Sequence, residues 1–126
     1  MNAEAMKTIL IVEDEHETAD LYSEMLQVSG FRVLKAADTH TAMGMLDKEP
    51  PDVVLLDIMM PDISGLEVVG YIRREPKLEH IPVIIVSART LPKDIQTGLD
   101  AGAKIYLTKP VSFLELKKAV ETVLAP

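Results

Sequence analysis

Five side chains in this sequence stand where a chain can do chemistry. Glu13 and Asp14 follow the apolar run TILIV, Thr8–Val12. Asp57 follows VVLL, Val53–Leu56, and Ser87 follows VIIV, Val83–Val86. Lys109 stands just past the short apolar segment Ile105–Leu107. Clustered carboxylates raise one another's pKa unless a cation sits among them. An all-oxygen set without His or Cys suits a hard ion, and Mg²⁺ is the usual one where phosphate is handled. A carboxylate can also be a nucleophile and form an acyl phosphate. Lysine offers a point charge to phosphoryl oxygens, and serine offers a hydroxyl donor. Together these are the parts of a phosphoryl-transfer site, where catalysis is mostly positioning and charge neutralisation.

Taken singly, each residue has a plainer explanation. Acids after a strand favour the dipole of the next helix. A lone Ser after a strand is usually a cap, and a lone Lys before Pro is usually a surface residue. The joint placement, at matching ends of four segments, is what favours the chemical reading. Glu15 stays open between a place in the cluster and a place at the start of the first helix. His16, His40 and His80 fall outside the cluster and read as surface residues. The methionines read as core and turn residues.

The elements that must position these groups follow from periodicity. Strands are expected at Thr8–Val12, Phe31–Ala36, Val53–Leu56, Val83–Val86 and Ile105–Leu107. Continuous aliphatic runs suit central parallel strands covered on both faces. Arg32 and Lys35 mark Phe31–Ala36 as an edge strand. Helical spacing appears in Thr18–Ser29 (Leu21, Met25, Val28), Thr39–Lys48 (Ala42, Leu46), Gly65–Arg74 (Val68, Val69, Ile72), Pro92–Ala101 (Ile95, Leu99) and Ser112–Leu124 (Leu116, Val120, Val123). Gly30 is a helix stop, and Ser112 with Glu115 forms a capping-box pair. The result is an α/β fold, (βα)5, a doubly wound parallel five-stranded sheet. On such sheets ligands bind at the carboxyl ends of the strands.

With 126 residues, no cysteine and 48% apolar residues, the chain reads as one globular domain over residues 1–126, its core about 7–124. A disulfide framework and a thiolate metal site are excluded. Met1–Met6 has no basic residue and no long apolar stretch, so no signal peptide is expected and the cytoplasm is the default compartment. A formal net charge of −7 without a basic patch argues against direct nucleic-acid binding.

ILIVEDE, VVLLDIMMPDISGLEV, PVIIVSA and YLTKP resemble, in order and spacing, the motifs of receiver domains of two-component response regulators, of the chemotaxis-regulator type. The resemblance runs from Lys7 to Leu124. It implies the flavodoxin-like strand order 2-1-3-4-5. It implies a phosphorylation-activated switch, not an enzyme in its own right, although it catalyses its own phosphotransfer and slow autodephosphorylation. Asp57 is then the phosphoacceptor. Asp14, Asp57 and the backbone carbonyl of Met59 bind Mg²⁺ directly, and Glu13 acts through a water. Ser87 and Lys109 contact the phosphoryl oxygens, and Lys109–Pro110 is a cis peptide. Tyr106 is the switch aromatic that turns inward when Ser87 engages the phosphate, reshaping the face of the fourth helix, fifth strand and fifth helix.

The implied donor is a sensor histidine kinase or a histidine phosphotransfer protein. The output is a downstream protein or an output domain of a longer regulator or hybrid kinase, with dimerisation on activation left open and no membrane contact. The last helix, FLELKKAVETVL, lacks the arginine-rich ending common in DNA-binding winged-helix regulators, which favours a stand-alone module. Lys104 and Ile105 stand where the family often has acids. Arg89, two past Ser87, is placed to affect access of water to an acyl phosphate. A Mg²⁺ phosphohydrolase using an aspartyl phosphate is disfavoured, because such enzymes need a second acid where this chain has Met59. A phosphorylation-independent interaction module is disfavoured by the retained Glu13, Asp14, Asp57, Ser87 and Lys109.

Overall fold

The computed structural model describes residues 6–58 and 65–125. Strand and helix alternate as β1 (Thr8–Val12), α1 (His16–Val28), β2 (Arg32–Ala36), α2 (Thr39–Lys48), β3 (Val53–Leu56), α3 (Gly65–Arg74), β4 (Val83–Ser87), α4 (Pro92–Ala101), β5 (Ile105–Thr108) and α5 (Phe113–Leu124). All neighbouring strands are parallel, in the order β2-β1-β3-β4-β5. The (βα)5 doubly wound sheet and its strand order are therefore as expected. Among the described residues no helix is long and apolar enough to cross a membrane.

The aliphatic runs are unbroken because successive strand residues face opposite layers. Ile9, Ile11, Val53, Leu55, Ile84 and Val86 pack with α1 and α5. Leu10, Val12, Val54, Leu56, Val83 and Ile85 pack with α2 and α3. At about 25 cal/mol per Å² of apolar surface removed from water, these two layers supply the main favourable term of folding.

Several boundaries differ from the sequence expectation. β4 and β5 each run one residue further, because Ser87 pairs with Thr108 at the end of their ladder. Phe31 belongs to the end of α1 instead of β2. Its N–H donates to the Leu26 carbonyl at 3.0 Å, and that of Gly30, at φ +97°, donates to Gln27 at 3.0 Å. Both bonds together are a Schellman stop, for which glycine has the required left-handed conformation. Ser112 is the N-cap of α5 and not its first residue, and the reciprocal capping box with Glu115 is formed.

The buried faces of α1 and α4 differ from those expected. In α1 the core side is Ala19, Tyr22, Ser23 and Leu26, while Leu21 and Val28 are exposed. In α4 only Gly98 is buried, and Leu99 is exposed. α2 (Ala42, Leu46), α3 (Val68, Val69, Ile72) and α5 (Leu116, Val120) bury the expected stripes.

Candidate functional site

Parallel strands end on the same edge, so β1, β3, β4 and β5 deliver their following residues to one place. The ladder itself fixes them. The Asp57 N–H donates to the Val12 carbonyl at 3.0 Å, that of Glu13 to Ala36 at 3.0 Å, and that of Lys109 to Ser87 at 2.8 Å. Beyond β3 the backbone is pressed closely from the other side. A Cβ at Gly65 would lie 2.6 Å from Ile58 Cα and 2.8 Å from the Asp57 carbonyl oxygen. Only glycine lets α3 begin that close to the backbone of Asp57.

Glu13, Asp14 and Asp57 each place one carboxylate oxygen within 4.8 Å of the others. Asp14 is exposed, whereas Glu13 and Asp57 are 3% and 7% exposed. Lys109 Nζ donates to Asp57 Oδ2 at 2.9 Å and to Glu13 Oε1 at 3.3 Å. A cavity of about 270 Å³ opens among Glu13, Asp14, Glu15, Asp57, Ala88 and Lys109. The Lys109–Pro110 peptide bond is cis.

Burial and then the neighbouring Asp57 charge push the Glu13 carboxyl up to about 7, against the lowering effect of the Glu15 N–H and Lys109. Burial works against a charged Lys109, yet the hydrogen bond and charge of Asp57, with those of Glu13, hold its ammonium above the usual lysine range. A pocket of three carboxylates and one ammonium is thus short of positive charge. Among the described residues its clustered donors are the carboxylates of Glu13, Asp14 and Asp57, a set that fits a hard divalent cation.

Glu13, Asp14, Asp57 and Lys109 therefore meet directly. Ser87 is fully buried beside them, and its Oγ accepts from the Arg89 N–H at 3.1 Å. Tyr106 lies farther out, its hydroxyl donating to the Arg89 carbonyl at 2.9 Å. Arg89 thus joins Ser87 to Tyr106 through its two backbone groups, a link that no sequence pattern announces. Its side chain faces Asp94 of α4 at 3.9 Å. Glu15 both stands at the N-cap of α1 and lines the cavity, its Oε1 accepting from Thr18 at 2.6 Å. Ala88, which follows Ser87 at the end of β4 and carries no functional group, also lines the cavity. His16, His40 and His80 are exposed. Met59 and its carbonyl lie outside the described residues.

The chain matches the model of the response regulator receiver domain over residues 9–121. It is 42% identical over 115 residues to a probable cyclic di-GMP phosphodiesterase of Vibrio cholerae, covering 91% of this chain and 26% of that protein. It is 31% identical over 117 residues to the polar-differentiation response regulator DivK of Brucella anthropi, covering 93% of each. The solved structure of the chemotaxis protein CheY4 of Vibrio cholerae aligns with a TM-score of 0.90 and 32% identity, over 95% of this chain and 100% of that one. This chain thus spans about a quarter of one relative and nearly the whole of two others. With a match across the length of its sheet and the same strand order, the chain belongs to the receiver-domain family of two-component response regulators.

Proposed function

We propose that Asp57 is the phosphoacceptor of this receiver domain, charged by a phosphohistidine of a sensor kinase or phosphotransfer protein in the cytoplasm. A carboxylate oxygen of Asp57 attacks phosphorus, the P–N bond breaks, and its electron pair stays on the imidazole, which takes up a proton. Lys109 orients the Asp57 carboxylate through Oδ2 and meets the incoming negative charge. Ser87 turns its hydroxyl to donate to a phosphoryl oxygen, which changes its bond with the Arg89 N–H. Asp14 and Asp57, which share the carboxylate cluster with Glu13, would hold Mg²⁺, and Glu13 would reach it through a water. When bound there, Mg²⁺ supplies the positive charge that the three carboxylates and the phosphoryl group need.

Phosphorylation adds about −1.5 to −2 charges to a site already rich in acid. The response passes from Ser87 through Arg89 to Tyr106 and the α4-β5-α5 face. That face acts on a downstream protein or an output domain. Loss of the phosphoryl group to water resets the switch.

The placement of Asp57 carries this reading. It is a nearly buried carboxylate at the end of a central strand, opening on a cavity, with Lys109 at 2.9 Å and Glu13 and Asp14 within 4.8 Å. Intact-mass spectrometry after incubation with acetyl phosphate tests it. One added phosphoryl group, dependent on Mg²⁺ and absent in Asp57→Asn, is the expected result. No adduct together with no beryllofluoride binding would overturn it.

A further inference from the structure

α4 meets the body of the domain at one buried residue, Gly98. A Cβ there would lie 2.9 Å from Cδ2 and 3.1 Å from Cε2 of Tyr106, and 2.9 Å from Cδ1 of Ile85. Gly98 stands inside a regular helix, where glycine is a weaker choice than alanine. Its backbone makes no demand for a left-handed conformation, so space and not conformation is what glycine provides. The Tyr106 ring takes that space, held at its far end by the 2.9 Å hydrogen bond to the Arg89 carbonyl. Ile85 Cδ1 is the tip of a flexible side chain and can yield. The ring, fixed at both ends, has less room to do so.

We infer that Gly98 is the positioning residue of the switch: its missing side chain makes the seat that holds the Tyr106 ring against α4 before any phosphoryl group arrives. This rests on Tyr106 being the switch aromatic of the proposed function. Any side chain at position 98 competes with the ring for one space. Alanine there unseats Tyr106, breaks its bond to Arg89, and leaves the Arg89 N–H on Ser87. Gly98 thereby sets how far the β5 side of the domain is committed to the seated form at rest.

The test uses unphosphorylated, metal-free protein labelled with 3-fluorotyrosine. The chain has three tyrosines, so ¹⁹F NMR gives one line each for Tyr22, Tyr71 and Tyr106, the last assigned with Tyr106→Phe. Gly98→Ala is expected to move the Tyr106 line toward the solvent-exposed position and leave the other two in place. Thermal unfolding gives an independent readout. Gly98→Ala is expected to lower Tm when Tyr106 is present and to raise it in a Tyr106→Ala background, where the helix preference for alanine is unopposed. An unmoved Tyr106 line in folded Gly98→Ala overturns the inference, and so does a Tm shift of the same sign in both backgrounds. Should Gly98→Ala alone fail to fold, the shift in the Tyr106→Ala background decides: a rise supports the seat and a fall overturns it. A wild-type chain that takes no phosphoryl group would overturn the phosphoacceptor reading alone, because the seat is measured without one.

Discussion

Every residue of β3 and β4 is buried, whereas every residue of β5 is only half-buried and α4 buries Gly98 alone. The first pair carries Asp57 and Ser87, and the second carries Tyr106 and its seat. In the proposed role Asp57 is a nucleophile for in-line transfer and must be held within a fraction of an ångström, which a strand covered on both faces provides. An element that answers a chemical event must instead have a low local stability. The two sides of β4 meet these opposite needs, and the backbone of Arg89 connects them.

Core truncation separates the two regions most sharply. Leu56 is fully buried at the end of β3 and Leu99 is 37% exposed on α4. Leu56→Ala is expected to cost about 2–5 kcal/mol of stability, and Leu99→Ala less than about 1 kcal/mol, as urea denaturation measures. Comparable costs would break the contrast between a rigid side and a lightly packed one.

The pH dependence of the metal-free protein sharpens it next. Folding raises the Glu13 carboxyl from the usual 4.5 to about 7. Between those values the folded chain holds a proton that the unfolded chain has released. Its contribution to stability therefore falls as pH rises from about 4.5 to about 7 and is level above. The difference is about 3 kcal/mol. Glu13→Gln is expected to remove this slope, and Mg²⁺ affinity of the wild type is expected to weaken as pH drops below 7. A flat profile in the metal-free wild type would show that neither burial nor the Asp57 charge raises the Glu13 carboxyl.

At its C-terminal end α4 has one strong tether. Arg73 of α3 donates through Nε and Nη2 to the Gly102 carbonyl at 3.1 and 2.8 Å, and through Nη1 to Glu79 and Ile81 at 3.0 and 2.8 Å. A Cβ at Gly102, at φ +123°, would sit 2.8 Å from Arg73 Nε. Arg73→Met is expected to cost about 2 kcal/mol and to speed amide exchange at the end of α4 and the start of β5. Exchange that rises equally in β1 and β3 would mean that the tether is global and not local.

Much of this was legible in the sequence, for a physical reason. An apolar strand run locates itself, and in a parallel sheet the residue after each run must reach the same edge. Glu13, Asp57 and Lys109 could therefore be placed together although 96 residues separate the first from the last. The helical faces were less legible. α1 has two stripes at helical spacing, and the longer side chains Leu21 and Val28 point to the wrong one, while Met25 packs partly against the core. The sheet takes Ala19 and Ser23 beside Tyr22 and Leu26, because small residues allow close approach. Arg73 and Gly98 gave no signal at all. One acts on backbone carbonyls, and the other acts by lacking a side chain, so neither leaves a pattern of residue types.

The two helices flanking β5 allow the finest comparison. α5 begins just after Lys109 and Pro110 with a complete capping box, Ser112 Oγ accepting from the Glu115 N–H at 3.1 Å and Glu115 Oε1 from the Ser112 N–H at 3.0 Å. The N-cap of α4 is Leu91, which is 56% exposed and offers no side-chain cap. Ser112→Ala is expected to cost about 1 kcal/mol. Leu91→Asp gives up little burial and supplies the missing acceptor beside the helix N-terminus, so it is expected to gain up to about 1 kcal/mol. It should also slow amide exchange in the first turn of α4 while leaving α5 unchanged. If the cap forms but exchange there stays fast, the looseness of α4 comes from how little of the helix is buried, Gly98 being its one buried residue, and not from its uncapped end.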